Sequence, residues 1–452
     1  MTNMGSLNRN IAKIALPAIV SNLTVPLLGL CDTAVTGHLG HPRFVAAIAV
    51  GSMMLNVLLW SFGFLRMGTT GLTAQAFGAA DRRGCRLMFT RSLLLALSLG
   101  FLLIILQRPL GELLLRLIGA DSDVSALALE YFRICVWGVP GLLGSMAISG
   151  WFLGMQDSTR PMAIAIATNI INILASILLV FPLGMGFPGT ACGTLIANWS
   201  ALVLGLILVR HFCKGSLPLV QLREAVDFRG MRRFFKVNAD IFCRSFFIMA
   251  VSLGVTSIGA RMGELTLAAN TIVMQMFFLF SYFMDGLAFS AEALSGKCVG
   301  ARDRIGLRRT VRRLLVWSFG VAAVFTFCYI FGYGAFARLL VPEAPVLARV
   351  GEMRVWIWLL PFASVLAFIF DGFFIGLTFT RQMLVVTAAA SLAFFAINFL
   401  MPSESATAAS RLWIAFEVYL FIRGAALAAL YPCSVRRLWM RKGGVGAEVN
   451  IS

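Results

Sequence analysis

The first carboxylate in this chain, Asp32, stands inside an apolar stretch, LTVPLLGLCDTAVTGHLG over residues 23–40. Between Lys13 and Arg43 the only other charged or imidazole side chains are His38 and His41. Carrying an ionised carboxylate to the centre of an inserted helix costs roughly 2.5–3.5 kcal/mol even on a lenient insertion scale. Low dielectric disfavours its charged form. Asp32 is therefore a candidate site for a proton or a bound cation. The 19 residues from Lys13 to Asp32 span about 28 Å at 1.5 Å each. A position near the far interface, where a carboxylate is cheap, is the alternative reading.

Further charges fall inside apolar segments. Asp240 and Arg244 lie at i, i+4 in FFKVNADIFCRSFF, on one helix face. That spacing suits a structural ion pair. Asp285 and Glu292 lie seven residues apart on one side of the eighth apolar segment. Asp371 lies on the tenth, Glu417 and Arg423 on the twelfth, and Arg66 on the second. Groups of this kind face a bundle interior and mark pathways, or they snorkel or bond between helices. The first half adds uncharged polar groups: Tyr131, Asn169, Asn172, Ser176, Thr194 and Asn198. Asn172 and Ser176 share a face. Interhelical hydrogen bonding is their default role, and a shared network with Asp32 is the sharper one. Prolines 17, 26, 140, 161 and 361 kink the segments and free carbonyls.

The elements that must position these residues are membrane spans. Of 452 residues 59% are hydrophobic and 13% charged, against about 45–50% and about 25% in a soluble domain. Apolar segments of bilayer-spanning length run at about 11–36, 45–77, 88–118, 128–154, 162–184, 189–210, 234–260, 267–296, 311–340, 347–376, 382–400 and 408–433. A polar loop, MPSESATAAS, precedes the last. Most of the 38 Lys and Arg fall in the connectors on the side of the N-terminus, including 82–91, 210–236 and 302–313. That bias places both termini in the cytoplasm.

The segments repeat. Residues 45–84 align without a gap with 267–306, at an offset of 222, and ten of the 40 pairs are identical. They include Gly78/Gly300, Asp81/Asp303, Arg82/Arg304 and Gly84/Gly306 in a polar loop. Downstream, Gly150 and Gly154 match Gly372 and Gly376. Six spans per half return the chain to its starting side. The halves are then parallel repeats about an axis along the membrane normal, with a substrate site expected between them.

Several classes are excluded. The net charge of +18 is spread through short connectors rather than over one face, so no nucleic-acid partner is expected. The nine cysteines form no CxxC and read as small apolar residues. With three histidines and no HExxH, Walker loop or GxSxG, neither a metal cage nor an enzyme is expected. The first apolar run is too long for a signal peptide and lacks a cleavage site. No cofactor is expected. An ion gradient would drive the work.

The stretches LPAIVSNLTVPLLGLCDTAVTGHLG, GFLRMGTTGLTAQAFGAADRRG, NIINILASILLVFPLGMGFPGTACGT, NADIFCRSF, YFMDGLAFSAEALSGKCVGARD and FDGFFIGLT resemble the multidrug and toxic compound extrusion (MATE) family, in its DNA-damage-inducible branch. The resemblance extends in order along nearly the whole chain. It implies an all-α membrane protein of twelve transmembrane helices in two pseudo-symmetric six-helix lobes around a V-shaped central cavity. It implies export of amphipathic, often cationic small molecules against inward proton or sodium flow. By position, Asp32 matches the coupling aspartate of the family, and Tyr131, Asn172 and Thr194 match its polar partners. Where many relatives carry a second aspartate on the fifth helix, this chain has Ser176, in ASILLVFPLGMG. That departure favours protons over a two-carboxylate sodium site. Asp240 and Asp371 remain candidates for a second-lobe cation site, with Arg244 competing for them.

The expected organisation is an N-lobe over 1–212, a cytoplasmic linker over 213–233 and a C-lobe over 234–452. The expected protein is a monomeric proton-coupled antiporter of the bacterial inner membrane, with the bilayer, protons and a small organic substrate as its partners. A sodium-coupled exporter, a lipid-linked oligosaccharide flippase and a non-transporting scaffold are the alternatives. A flippase would show a more basic cavity than these balanced charges suggest.

Overall fold

The computed structural model of the chain describes residues 4–38, 41–118, 122–400 and 408–444, and over these it is almost wholly helical. The first half comprises α1 (Met4–Gly37), α2 (Pro42–Trp60), α3 (Phe64–Gly78), α4 (Arg82–Ile105), α5 (Gln107–Ile118), α6 (Ser122–Val136), α7 (Val139–Gly154), α8 (Thr159–Val180) and α9 (Phe187–Phe212). The short α10 (Leu222–Ala225) lies in the connector. The second half comprises α11 (Phe228–Ala260), α12 (Glu264–Gly300), α13 (Arg304–Leu340), α14 (Ala344–Glu352), α15 (Arg354–Leu377), α16 (Thr380–Leu400) and α17 (Ala408–Gly444). Among the described residues ten helical segments are long and apolar enough to cross a bilayer, and α6 with α7 forms an eleventh span bent by 52°. The 34-residue α1 completes the twelve. Large apolar side chains such as Leu174, Leu178, Val203, Ile207, Phe327 and Leu392 stand exposed. Such a surface suits lipid rather than water, and the helices satisfy their own backbone groups, as a bilayer requires.

The helix ends depart from the sequence pattern where small and kinking residues fall. A 3-10 turn at Ser61–Gly63 divides the second segment. The third segment ends at Ile105, and Gln107–Ile118 turns aside as a separate amphipathic helix carrying Pro109. The fourth breaks between Val136 and Val139, just before Pro140. The tenth begins only at Arg354, and the last continues to Gly444. Most of the loop at 401–410, and the side chain of Cys31, lie outside the described residues. The other eight cysteines are free.

The two halves repeat in detail. Asp81 caps α4 by accepting from the Gly84 N–H at 2.8 Å, and Asp303 caps α13 by accepting from the Gly306 N–H at 2.7 Å. Before each cap the chain takes a left-handed residue, Ala80 (φ 57°) and Arg302 (φ 56°). The same pairing recurs after α7 and α15, at Gln156 (φ 66°) and Thr378 (φ 59°). Close helix approaches repeat too. A Cβ on Gly150 would strike the Arg66 carbonyl, and one on Gly372 the Ala288 carbonyl, each residue 222 positions from its counterpart.

The halves also exchange their leading turns. Ile11, Ile14 and Ala15 of α1 belong to the core of the second half, with Phe280, Met284 and Phe373. Phe234, Val237 and Ile241 of α11 pack into the first half, with Leu65, Leu143 and Ala147. At the end bearing the 78–82 and 300–304 loops, the halves touch backbone to backbone. A Cβ on Gly78 would strike the Lys297 carbonyl, and one on Gly300 the Gln75 carbonyl. Gln75 Nε2 donates to the Gly376 carbonyl and Gln156 Nε2 to the Ala293 carbonyl, both at 2.8 Å. The molecule is closed at this end.

Candidate functional site

Asp32 lies five residues before the end of α1, where Pro17 and Pro26 interrupt the hydrogen-bond ladder. Its side chain is buried, and its Oδ1 accepts no hydrogen bond among the described residues. A buried carboxyl oxygen without a partner is uncommon in a packed core and is a place where a proton, an ion or a water would be accommodated; Asp371 Oδ1 and both Glu417 oxygens share this state among the described residues. Of the four expected partners, Tyr131 lies near Asp32, and Asn172 and Thr194 are bonded to each other. The buried Tyr131 hydroxyl engages Ser52 and Thr194 and lies close enough to Asp32 to feel its charge. Thr194 in turn accepts from Asn172 Nδ2 at 3.0 Å and donates to its own helix at the Thr190 carbonyl, at 3.3 Å. Asn172 Oδ1 is a second buried orphan.

Ser176 differs from the expectation. It lies one turn beyond Asn172, with its Oγ buried against Gly193 and without a hydrogen-bond partner among the described residues. Asn169 serves as interhelical glue, donating from α8 to the Thr24 carbonyl of α1 at 3.1 Å. Ser52 and Cys135, absent from the sequence reading, complete the polar wall. Cys135 sits beside Tyr131, with its Sγ 3.8 Å from the Ala191 carbonyl. Neither is charged or periodic, so nothing in the sequence distinguished them.

The second half holds a different arrangement. Asp240 and Arg244 share a helix face but do not pair. Asp240 accepts from the Thr380 hydroxyl at 3.0 Å and lies 3.6 Å from the Arg381 guanidinium. Arg244 turns instead to Asp371, and Arg423 binds the same carboxylate oxygen. The reason is reach. A helix-face pair gains only a few tenths of a kcal/mol, whereas Asp371 offers the buried Arg244 a desolvated partner. Asp371 is therefore held by two arginines, and its Oδ1 is left without a hydrogen bond. Arg423 also donates to the Tyr419 hydroxyl at 3.1 Å. Arg66 crosses between the halves to Glu292 at 3.1 Å and lies 3.8 Å above the Phe289 ring. Asp285 sits among these charges without a direct ion pair among the described residues. Arg423 joins the cluster only through the fold, since its partner lies 52 residues away. Glu417, six residues before it, has both carboxyl oxygens buried with no partner among the described residues.

Two sites emerge. One is a carboxyl with an open oxygen beside a chain of neutral hydroxyls and amides. The other is a balanced, locked cluster of arginines and carboxylates. Among the described residues no three acidic, cysteine or histidine side chains form a metal-binding group.

Comparison with known proteins places this architecture. The chain is 34% identical to the DNA damage-inducible protein F of Escherichia coli (strain K12), over 97% of this chain and 94% of that protein. It is 24% identical to a probable multidrug resistance protein NorM of Bradyrhizobium diazoefficiens, over 94% and 93%. A crystal structure of a MATE protein in the bent conformation superposes with a TM-score of 0.84 at 18% identity, covering 98% of each chain. The MatE family model matches twice, at 17–178 and 241–400, once in each half. The chain belongs to the MatE family of membrane transporters.

Proposed function

We propose that this protein is a proton-coupled antiporter that exports amphipathic, often cationic small molecules, with Asp32 as the coupling carboxyl. The observation that carries the reading is the unpartnered Asp32 Oδ1, buried beside Tyr131 and the Asn172–Thr194 bond. A carboxyl so placed changes its hydrogen-bonding character when it takes a proton, from acceptor only to donor. Its neighbours must then re-pair. The kinked α1 is the element free to follow, because Pro26 has removed a rung of its ladder. Bending of α1 would shrink the space it borders and expel the substrate. The naming of relatives as multidrug resistance proteins supports the substrate class.

Protons are favoured over sodium by the residues themselves. Ser176 stands where a second carboxylate would complete a cation site in the first half. In the second half Asp371 is already neutralised by Arg244 and Arg423. In this reading the protein works as a monomer in a bacterial cytoplasmic membrane, with both termini in the cytoplasm.

The test is internal pH in proteoliposomes on adding a fluorescent cationic dye, with and without a sodium gradient. Dye-dependent proton movement that is lost in Asp32→Asn supports the reading. Full pH-driven efflux in a properly inserted Asp32→Asn overturns it. Sodium dependence moves coupling to another carboxylate. Transport of a lipid-linked oligosaccharide with no ion movement points to a flippase.

A further inference from the structure

We propose that the groove between the first turns of α13 and the last turns of α17 is a binding site for an anionic phospholipid. The groove encloses about 1420 Å³. One wall carries Arg304, Arg308, Arg309 and Arg312, and the other carries Trp439. Arg304 lies 5.4 Å above the Trp439 ring. Among the described residues none of the four arginines has an acidic partner. They are crowded at a helix N-terminus, the end whose partial charge is already positive. Such an arrangement calls for a counter-anion from outside the helix.

The repeat supplies an internal control. At the offset of 222, Arg304 and Arg308 correspond to Arg82 and Arg86 on α4, while Arg309 and Arg312 replace Leu87 and Thr90. In the first half Arg82 and Arg86 line a smaller groove of about 610 Å³, which the chain's own connector walls in part with Ser216, Leu217 and Pro218. Arg83 pairs with Glu224 at 2.5 Å, and Arg86 donates to the Leu219 carbonyl at 2.8 Å. Arg91 donates to the Ala225 carbonyl at 2.8 Å, and Thr90 accepts from the Val220 N–H at 3.1 Å. The connector thus supplies the oxygens that the first basic face needs. No described residue does so for Arg304, Arg308, Arg309 or Arg312, and residues 304–313 carry one more arginine than residues 82–91.

The shape below the arginines selects the occupant. The groove continues down α13 past Leu315, Val316 and Phe319, with Val316 and Phe319 exposed. Phe319 is 15 residues from Arg304, about 22 Å along the helix. A free phosphate would use the arginines and leave this apolar run bare. A phospholipid fills both parts, with its phosphate on the guanidiniums and an acyl chain along the run. Basic pockets between spans on the cytoplasmic side bind lipid head groups in this way, and Trp439 stands where interfacial aromatics anchor.

The experiment is native mass spectrometry of the full chain purified in detergent with a fixed mixture of phosphatidylcholine, phosphatidylglycerol and cardiolipin. The expected result is one retained anionic lipid in preference to phosphatidylcholine. In R308Q/R309Q/R312Q, three fewer charges cut that retention by roughly two orders of magnitude. Val316→Trp, which blocks the acyl path and leaves the charge unchanged, also loses the lipid. R82Q, in the smaller first-half groove, keeps it. Equal retention of phosphatidylcholine, displacement of the lipid by an equal concentration of inorganic phosphate, or unchanged retention in both the triple variant and Val316→Trp overturns the proposal.

Discussion

Asn172 on α8 donates its amide to the Thr194 hydroxyl on α9 across 3.0 Å, and the Tyr131 hydroxyl on α6 lies close by. Two helices are thereby tied through one small side chain. Thr194→Val keeps the shape and deletes the hydroxyl, leaving the Asn172 amide unsatisfied at a cost of about 1–3 kcal/mol. The expected outcome is a several-fold to hundredfold fall in the initial rate of proton-driven dye movement in proteoliposomes. Thr194→Ser restores most of it. Equal rates in the Val and Ser variants would remove the hydroxyl from the coupling network.

Arg66 and Glu292 join the two halves through a pair in which the Glu292 side chain is only 2% exposed. Breaking a buried pair from one side strands a charge and costs about 3–5 kcal/mol, whereas replacing both partners by apolar groups is often neutral. Glu292→Gln alone is expected to lower the thermal midpoint in detergent more than the double variant Arg66→Met/Glu292→Met. The check is a double-mutant cycle on unfolding midpoints. Additive effects would show that the pair contributes nothing as a pair.

The closed end depends on backbone contact between halves. Gly78 has no room for a Cβ against the Lys297 carbonyl, while Gly320 faces open space. Gly78→Val is expected to hold this end apart and abolish dye efflux at normal expression. Gly320→Val, on the outer face of α13, is expected to leave efflux within about twofold of the parent, consistent with the small cost of changes away from packed features. Efflux surviving Gly78→Val would mean that the closed end need not form during transport.

The repeat was the most legible feature of this chain, because a polar loop is costly to place and both halves place it identically. Asp81 and Asp303 were read as a matched pair in that loop, and the structure makes each of them a helix cap. The burial of Asp32 was legible for a related reason: it is a lone carboxylate in an apolar stretch. The partners of the second-half charges were not legible. Asp240 and Arg244 had the right spacing to pair, yet spacing along one helix says nothing of what the neighbouring helices offer. Arg423 reaches Asp371 from another span, and Thr380 reaches Asp240 across 140 residues. The break after Ile105 was hidden for a different cause. The turn falls where apolar composition continues, and only Pro109 hinted at it.

Asp371 and Glu417 give the sharpest contrast among the buried carboxyls, since one has two arginines and the other has no partner. Asp371→Asn leaves Arg244 and Arg423 buried without a counter-charge, at about 3–5 kcal/mol. A fall in thermal midpoint of about 3–5 °C is expected from a loss of that size in a chain of this length. Glu417→Met removes a buried polar group with no partner among the described residues, on a helix whose Trp413, Phe416 and Leu420 belong to the apolar core. It keeps a similar volume, so the midpoint is expected to stay level or rise. Differential scanning fluorimetry of the two variants in one detergent measures both. The same pair separates structure from coupling. If Asp371 only holds two arginines, Asp371→Asn lowers the midpoint and leaves the number of protons moved per dye unchanged in the protein that remains folded. A changed ratio at an unchanged midpoint would make Asp371 a second coupling carboxyl and would require Arg244 and Arg423 to release it during transport.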